Sequence, residues 1–202
     1  KFDYAFEEMM STEEYIYHKW EGYLFPDTYE FYVDMKPRSV LLKFVDNFNN
    51  RITEGYYDRM QEMGMSLSET IALASVIQSE AATMEDMYKV SSAFHNRLTP
   101  GSGLPLLQSD VTYFYYQKEI EPYVSDDPEL DEAYHTSYDT YYRKGIPVGP
   151  ICNPGKDAII AALYPDNTNY YYFVTDATGK FYYASTLAEH EANIAKAASV
   201  TG

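Results

Sequence analysis

Apolar residues recur at helical spacing in Leu67, Ile71, Leu73, Ala74, Val76, Ile77 and Ala81, so this stretch reads as a helix. Ser66 with Glu69 three positions on forms an S-x-x-E box at its start. A second pattern runs over residues 37–63, where Val40, Leu41, Phe44, Val45, Phe48 and Ile52 make the stripe of one long scaffold helix. A third helix is expected over 83–98, capped by Thr83 with Asp86 and burying Met87, Val90, Phe94 and Leu98. Asn153 followed by Pro154 signals the N-cap and first residue of a helix over 154–163. Aromatic segments at 170–175 and 180–184, joined by Asp176, Ala177, Thr178 and Gly179, predict a β-hairpin. Thr186 with Glu189 opens a final helix.

Between these elements lie less regular stretches. Residues 11–14 could open a short helix, and 21–31 read as an extended segment that lines a groove or plugs the core. Residues 99–105 are a loop, and an extended run over 106–112 places Gln108 and Asp110 on one side. The acidic stretch 119–132 reads as an exposed insertion, and 144–155 as a turn-rich loop. The pattern predicts one α+β domain, helix-rich in its first half, with the hairpin and a helix at the end. Residues 1–20 are taken as a lead-in and 21–202 as the main domain.

Composition narrows the function classes. At 202 residues and 46% hydrophobic, the chain can build a sizeable core. A net charge of −16 argues against nucleic acid and against unaided adhesion to an anionic membrane. The 23 tyrosines suit strands and also suit stacking on sugar rings. Cys152 stands alone, which excludes an intrachain disulfide and fits a packing role. No run reaches membrane-spanning length, and the start at Lys1 without Met fits a processed or truncated piece whose targeting segment is missing.

Few chemistries survive. His18, His95, His135 and His190 are scattered without metal-ligand spacing, so neither a metal nor another cofactor is expected. No nucleophile elbow or phosphate-binding glycine loop occurs. What remains is a carboxyl, Glu80, four residues after Val76 and three after Ile77, beside an apolar stripe. Shelter there raises a carboxyl pKa and makes it a general acid. The other reading has Glu80 snorkel outward or pair with Arg or Lys, and from the helix alone that reading takes precedence. Arg97 at the end of the polar cluster 95–97 could neutralise a carboxylate in the same way.

Taken together, the segments resemble a known family. Residues 21–29 (EGYLFPDTY), 73–81 (LASVIQSEA), 94–98 (FHNRL), 107–112 (LQSDVT) and 138–141 (YDTY) are similar in order to the YceG-like, or MltG, endolytic murein transglycosylases. So are 145–147 with 153–155 (GIP, NPG), 171–175 (YYFVT) and 185–190 (STLAEH). The resemblance implies that Glu80 is catalytic and cleaves peptidoglycan glycan strands between N-acetylmuramic acid and N-acetylglucosamine, leaving 1,6-anhydro ends. It implies an extracytoplasmic enzyme on the bacterial cell membrane, with peptidoglycan synthase or division-complex proteins as partners. It also implies a membrane anchor, which this chain lacks, and a LysM-like region, of which the chain holds little or none. The substrate contacts expected are Asn96, Gln108, Asp110, Tyr138, Thr140, Glu21 and Asn153, each with a packing or capping role as the alternative. Asp27 is a further polar group of the 21–31 segment. Ser109 stands where the family often has Thr. A hydrolytic muramidase using Asp110 or Glu21 as second carboxylate, and a non-catalytic glycan-binding scaffold, remain as alternatives.

Overall fold

The computed structural model describes residues 4–201. After a 3₁₀ turn at Ala5–Met9 come α1 (Pro37–Arg51), α2 (Glu54–Met63), α3 (Leu67–Glu80) and α4 (Met84–Leu98). Then follow α5 (Asp110–Tyr115), a π-helical turn (Tyr116–Ile120), α6 (Glu121–Val124), α7 (Pro128–Tyr138) and α8 (Lys156–Leu163). Strands β1 (Tyr172–Thr175) and β2 (Phe181–Ala184) precede α9 (Leu187–Ala198). The result is mostly helical, with the expected hairpin and helix closing it.

Helix α3 is the axis of the core. Every residue from Thr70 to Ile77 is buried, so it has no solvated face over that span. The expected capping box is present: Ser66 Oγ accepts from Glu69 N at 3.2 Å, and Ser66 N donates to Glu69 Oε2 at 2.8 Å. α3 packs on α8 and α4. Alanines at 72, 74, 158, 161 and 162, all buried, let the backbones come close. The last carbonyls of α8 lack helical partners, and neighbouring helices supply them. Ser91 Oγ donates to Ala161 O at 2.6 Å, and Arg59 Nε donates to Leu163 O at 2.9 Å. His95 Nε2 meets Ala162 O at 2.8 Å, so this ring is an anchor of α8.

The hairpin pairs antiparallel, with Tyr172 opposite Ala184 and Thr175 opposite Phe181. Asp176 Oδ1 ties its turn by accepting from Thr178 N and Lys180 N. α9 packs across both strands, and its capping box forms as expected, with Thr186 accepting from Glu189 N.

Four expectations need correction, and one, the exposed acidic stretch, gains detail. The stripe over 37–63 belongs to two helices, broken at Ile52 and Thr53, whose backbones are extended (ψ 95° and 165°). Two β-branched residues in succession suit that conformation, and burying Ile52 fixes the corner. Residues 11–14 are not helical; the turn lies earlier, at Ala5–Met9, and places Phe6 in the core. The run 106–112 is not a strand: Gln108 has φ +55° and Asp110 starts α5. The acidic stretch 119–132 is exposed along most of its length yet helical, pinned by buried Ile120 and Val124. Residue 155, not Asn153, caps α8, because the Asn153 side chain is engaged elsewhere.

Gly22 sits in the segment that holds Glu21, with φ +88°. A Cβ there would lie 2.5 Å from Pro150 Cγ and 2.7 Å from Ile71 Cγ2. Gly22→Ala combines left-handed backbone strain with a core clash, so it should cost about 2 kcal/mol. A thermal melt should show the midpoint lowered by roughly 4–8 °C.

Candidate active site

Glu80 is the last residue of α3. The helix stops there because the chain must turn so that Thr83 can cap α4, which it does by accepting from Asp86 N. Glu80 is half-buried and lines a cavity of about 400 Å³. Burial pushes its pKa up from 4.5; a hydrogen bond donated by Ser109 Oγ opposes the shift, and the nearby Asp110 charge adds to it. The negative pole of α3 acts in the same sense as burial. No Lys or Arg forms an ion pair with Glu80 among the described residues.

Ser109 is held from behind. Its N–H donates to Thr140 Oγ1 at 3.0 Å, and its carbonyl accepts from Thr112 Oγ1 at 2.7 Å. Thr140 N in turn donates to Thr112 Oγ1 at 3.1 Å, and both threonines are fully buried. This knot of two threonines fixes the hydroxyl that touches Glu80. Gln108 is a non-glycine residue in the left-handed region, a conformation that persists only where neighbours impose it. Arg97 is one of those neighbours. The residue is 5% exposed, and its guanidinium donates to Leu106 O at 2.8 Å, to Tyr171 O at 2.9 Å and to Gln108 Oε1. Burial pulls its pKa down.

The other wall is aromatic. Tyr171 and Tyr172 line it from the hairpin, and His190 from α9 stacks on Tyr172 with centroids 5.1 Å apart. His190 Nδ1 is buried without a hydrogen-bond partner among the described residues. An orphaned N–H is the less tolerable state, so the proton belongs on Nε2, leaving a neutral donor on this wall. Burial lowers the His190 pKa, which keeps the ring neutral. Asp110 also lines the cavity, and its Oδ1 accepts from Tyr141 Oη at 2.7 Å. Burial, and then that bond, push the Tyr141 hydroxyl up to about 12.

Of the residues expected at the site, Glu80, Gln108 and Asp110 share this cavity. Thr140 stands behind it, holding Ser109. Asn96 is spent on backbone: its Nδ2 donates to Thr168 O and Tyr170 O, both at 2.9 Å. Tyr138 is buried, its oxygen accepting from Tyr17 N at 3.1 Å. Asn153 Oδ1 accepts from Gly22 N at 2.8 Å and Leu24 N at 3.0 Å, so it shapes the segment bearing Glu21. Glu21 lines a different, neighbouring cavity and accepts from Tyr115 Oη at 2.6 Å. Asp27 pairs with Arg51 at 2.6 Å, away from the cavity lining. Cys152 is a packing residue whose thiol is pushed up by burial.

Sequence reasoning missed Ser109, Tyr141, Arg97 in its present role, and the hairpin wall. An extended 106–112 puts Ser109 on the face opposite Gln108 and Asp110, which hid it. Tyr141 lies in the noted 138–141 motif, three residues after the buried Tyr138. Among the described residues no cluster of three or more His, Cys, Asp or Glu side chains is placed to hold a metal.

Residues 3–196 match the profile of the YceG-like family. The chain belongs to that family. It is 35% identical over 176 residues to an endolytic murein transglycosylase of Bacillus subtilis strain 168, covering 87% of this chain and 47% of that protein. It is 29% identical over 182 residues to one from Streptococcus pneumoniae serotype 2, covering 89% of this chain and 32% of that protein. The chain thus spans less than half the length of these two YceG-like relatives. A crystal structure of a YceG-like protein from Listeria monocytogenes superposes with a TM-score of 0.75 at 33% identity, over 90% of this chain and 57% of that one. The family match begins at residue 3, so the 3₁₀ turn and Phe6 fall inside the matched region.

Proposed function

We propose that this chain is the catalytic part of an endolytic murein transglycosylase and that Glu80 is its acid–base residue. The observation that carries the reading is a sheltered carboxyl, raised by burial and contacted by a fixed hydroxyl, lining a cleft with an aromatic wall. Family membership supports the same class.

Protonated Glu80 gives its proton to the glycosidic oxygen as the bond from the N-acetylmuramic acid C1 breaks. The carboxylate then takes the proton of the C6 hydroxyl of that sugar, whose oxygen bonds to C1. A 1,6-anhydro end and a free 4-hydroxyl result, and no water is consumed. One carboxyl suffices because the nucleophile is carried by the substrate, and such intramolecularity is worth roughly 7–11 kcal/mol. Gln108 and Asp110 are the proposed contacts to sugar hydroxyls and the N-acetyl group, with Tyr171, Tyr172 and His190 as the stacking wall. Ser109, Thr140 and Arg97 hold the machinery in place.

Asp110 in the same cavity favours one second reading, a hydrolytic muramidase with Asp110 activating water. Mass analysis of the products of uncrosslinked glycan strands separates the two. Anhydro ends, one water lighter than reducing ends, are expected; reducing ends would replace the transglycosylase with the hydrolase. Action at the outer face of the cell membrane is part of the proposal. Among the described residues no helix is long and apolar enough to cross a membrane.

A further inference from the structure

A second cavity, of about 490 Å³, adjoins the first. It is lined by Glu21, Ser79, Val111, Phe114, Tyr115 and Lys118, among others. The two cavities have no lining residue in common, yet they meet along two short pieces of chain. Ser79 faces the second and Glu80 the first; Val111 faces the second and Asp110 the first. The pairs 79–80 and 110–111 are therefore the partition, and the Glu80 carboxyl stands at it.

We propose that this second cavity binds the saccharide on the far side of the scissile bond, so that a glycan strand crosses Glu80 with amino-sugar rings held on both sides. The proposal rests on the glycan-cleaving function argued above. Three features fit an amino sugar. Tyr115 occupies Glu21 Oε2, and the other oxygen has no protein donor among the described residues, leaving an acceptor for a sugar hydroxyl or acetamido N–H. Phe114 is 46% exposed beside it, an aromatic surface for the apolar side of a ring. Lys118, with its ammonium 5.8 Å from the Phe114 ring, is a donor among the lining residues. The Glu21 segment is rigidly placed by Asn153 and by the close packing of Gly22 on Pro150 and Ile71, so the cavity is preformed.

Calorimetry with the Glu80→Gln chain and uncrosslinked glycan oligomers reads binding without turnover. Lengthening the oligomer from two sugars to four should tighten binding roughly tenfold or more, about 1.4 kcal/mol. Phe114→Ala or Glu21→Gln, added to Glu80→Gln, should remove that gain and leave disaccharide binding unchanged; Glu21→Gln keeps the Tyr115 contact and guards against misfolding. A length gain that survives both substitutions overturns the proposal. Reducing-end products from the wild type, with the gain still lost on Phe114→Ala, would sink the transglycosylase and sustain this site.

Discussion

Glu80→Gln should lower glycan cleavage by about 10²–10⁴-fold, the usual contribution of a positioned acid–base group, while the protein stays folded and grows more stable near pH 7. The amide fills the same space and still accepts from Ser109 Oγ, so the cavity is kept. The stability change follows from linkage. Burial raises the folded-state pKa of Glu80 above 4.5. Below the unfolded value both states are protonated and the folded protein carries no penalty; as pH rises through the folded value, an ionised carboxyl in the shelter weakens folding. Gln removes that penalty, so the gain in melting temperature should be present near neutral pH and vanish toward about pH 4. Parallel melts across pH check this, and an equal gain at both ends would mean that Glu80 is not sheltered. The same shift governs the rate. The reaction begins from the protonated acid, so kcat/KM should fall as pH rises through the raised Glu80 pKa. Ser109→Ala deletes the bond that favours the carboxylate, and should move this alkaline limb to higher pH.

Arg97→Met should lose about 3–5 kcal/mol of stability and most of the activity. Methionine fills the volume, and removing a buried cation relieves desolvation. Against that gain, Leu106 O and Tyr171 O each lose a charged donor in a part-buried setting, at about 1–3 kcal/mol each, and Gln108 Oε1, on an exposed residue, loses one that water only partly replaces. Three losses outweigh one relief. The fork also joins the end of α4 to the 106–108 loop and to the residue before β1, so two walls of the cleft loosen together. Gln108 then has less to hold it in its left-handed conformation. Denaturant unfolding reads the first effect and strand cleavage the second. Arg97→Lys should rescue neither, because one ammonium cannot reach three acceptors spread around a planar group.

Much of the fold is legible in the chain because its signals are local. The Ser66 and Thr186 boxes, the Thr83 cap and the 176–179 turn involve partners within four residues, and each forms where expected. The expectations that failed involve competition over distance. Asn153 carries a good capping side chain, but two backbone N–H groups more than a hundred residues away claim it. Asn96 is drawn off in the same manner by the carbonyls of 168 and 170. The stripe over 37–63 is continuous in sequence, yet burial of Ile52 lets the chain turn a corner that periodicity alone cannot register.

The sequence by itself determined α3, α4, α8, α9, the hairpin, the family, and the apolar surroundings of Glu80, since each is written in patterns within short segments. Only the tertiary structure decided which polar groups stand with that carboxyl. Ser109 reaches it through a buried threonine knot, Asp110 and Tyr141 line the same cavity, and Arg97 ties the left-handed Gln108 to the residue before β1, some seventy residues on from Arg97. Hydrogen bonds between distant segments depend on where the packed helices bring the backbone, and no local period encodes that placement.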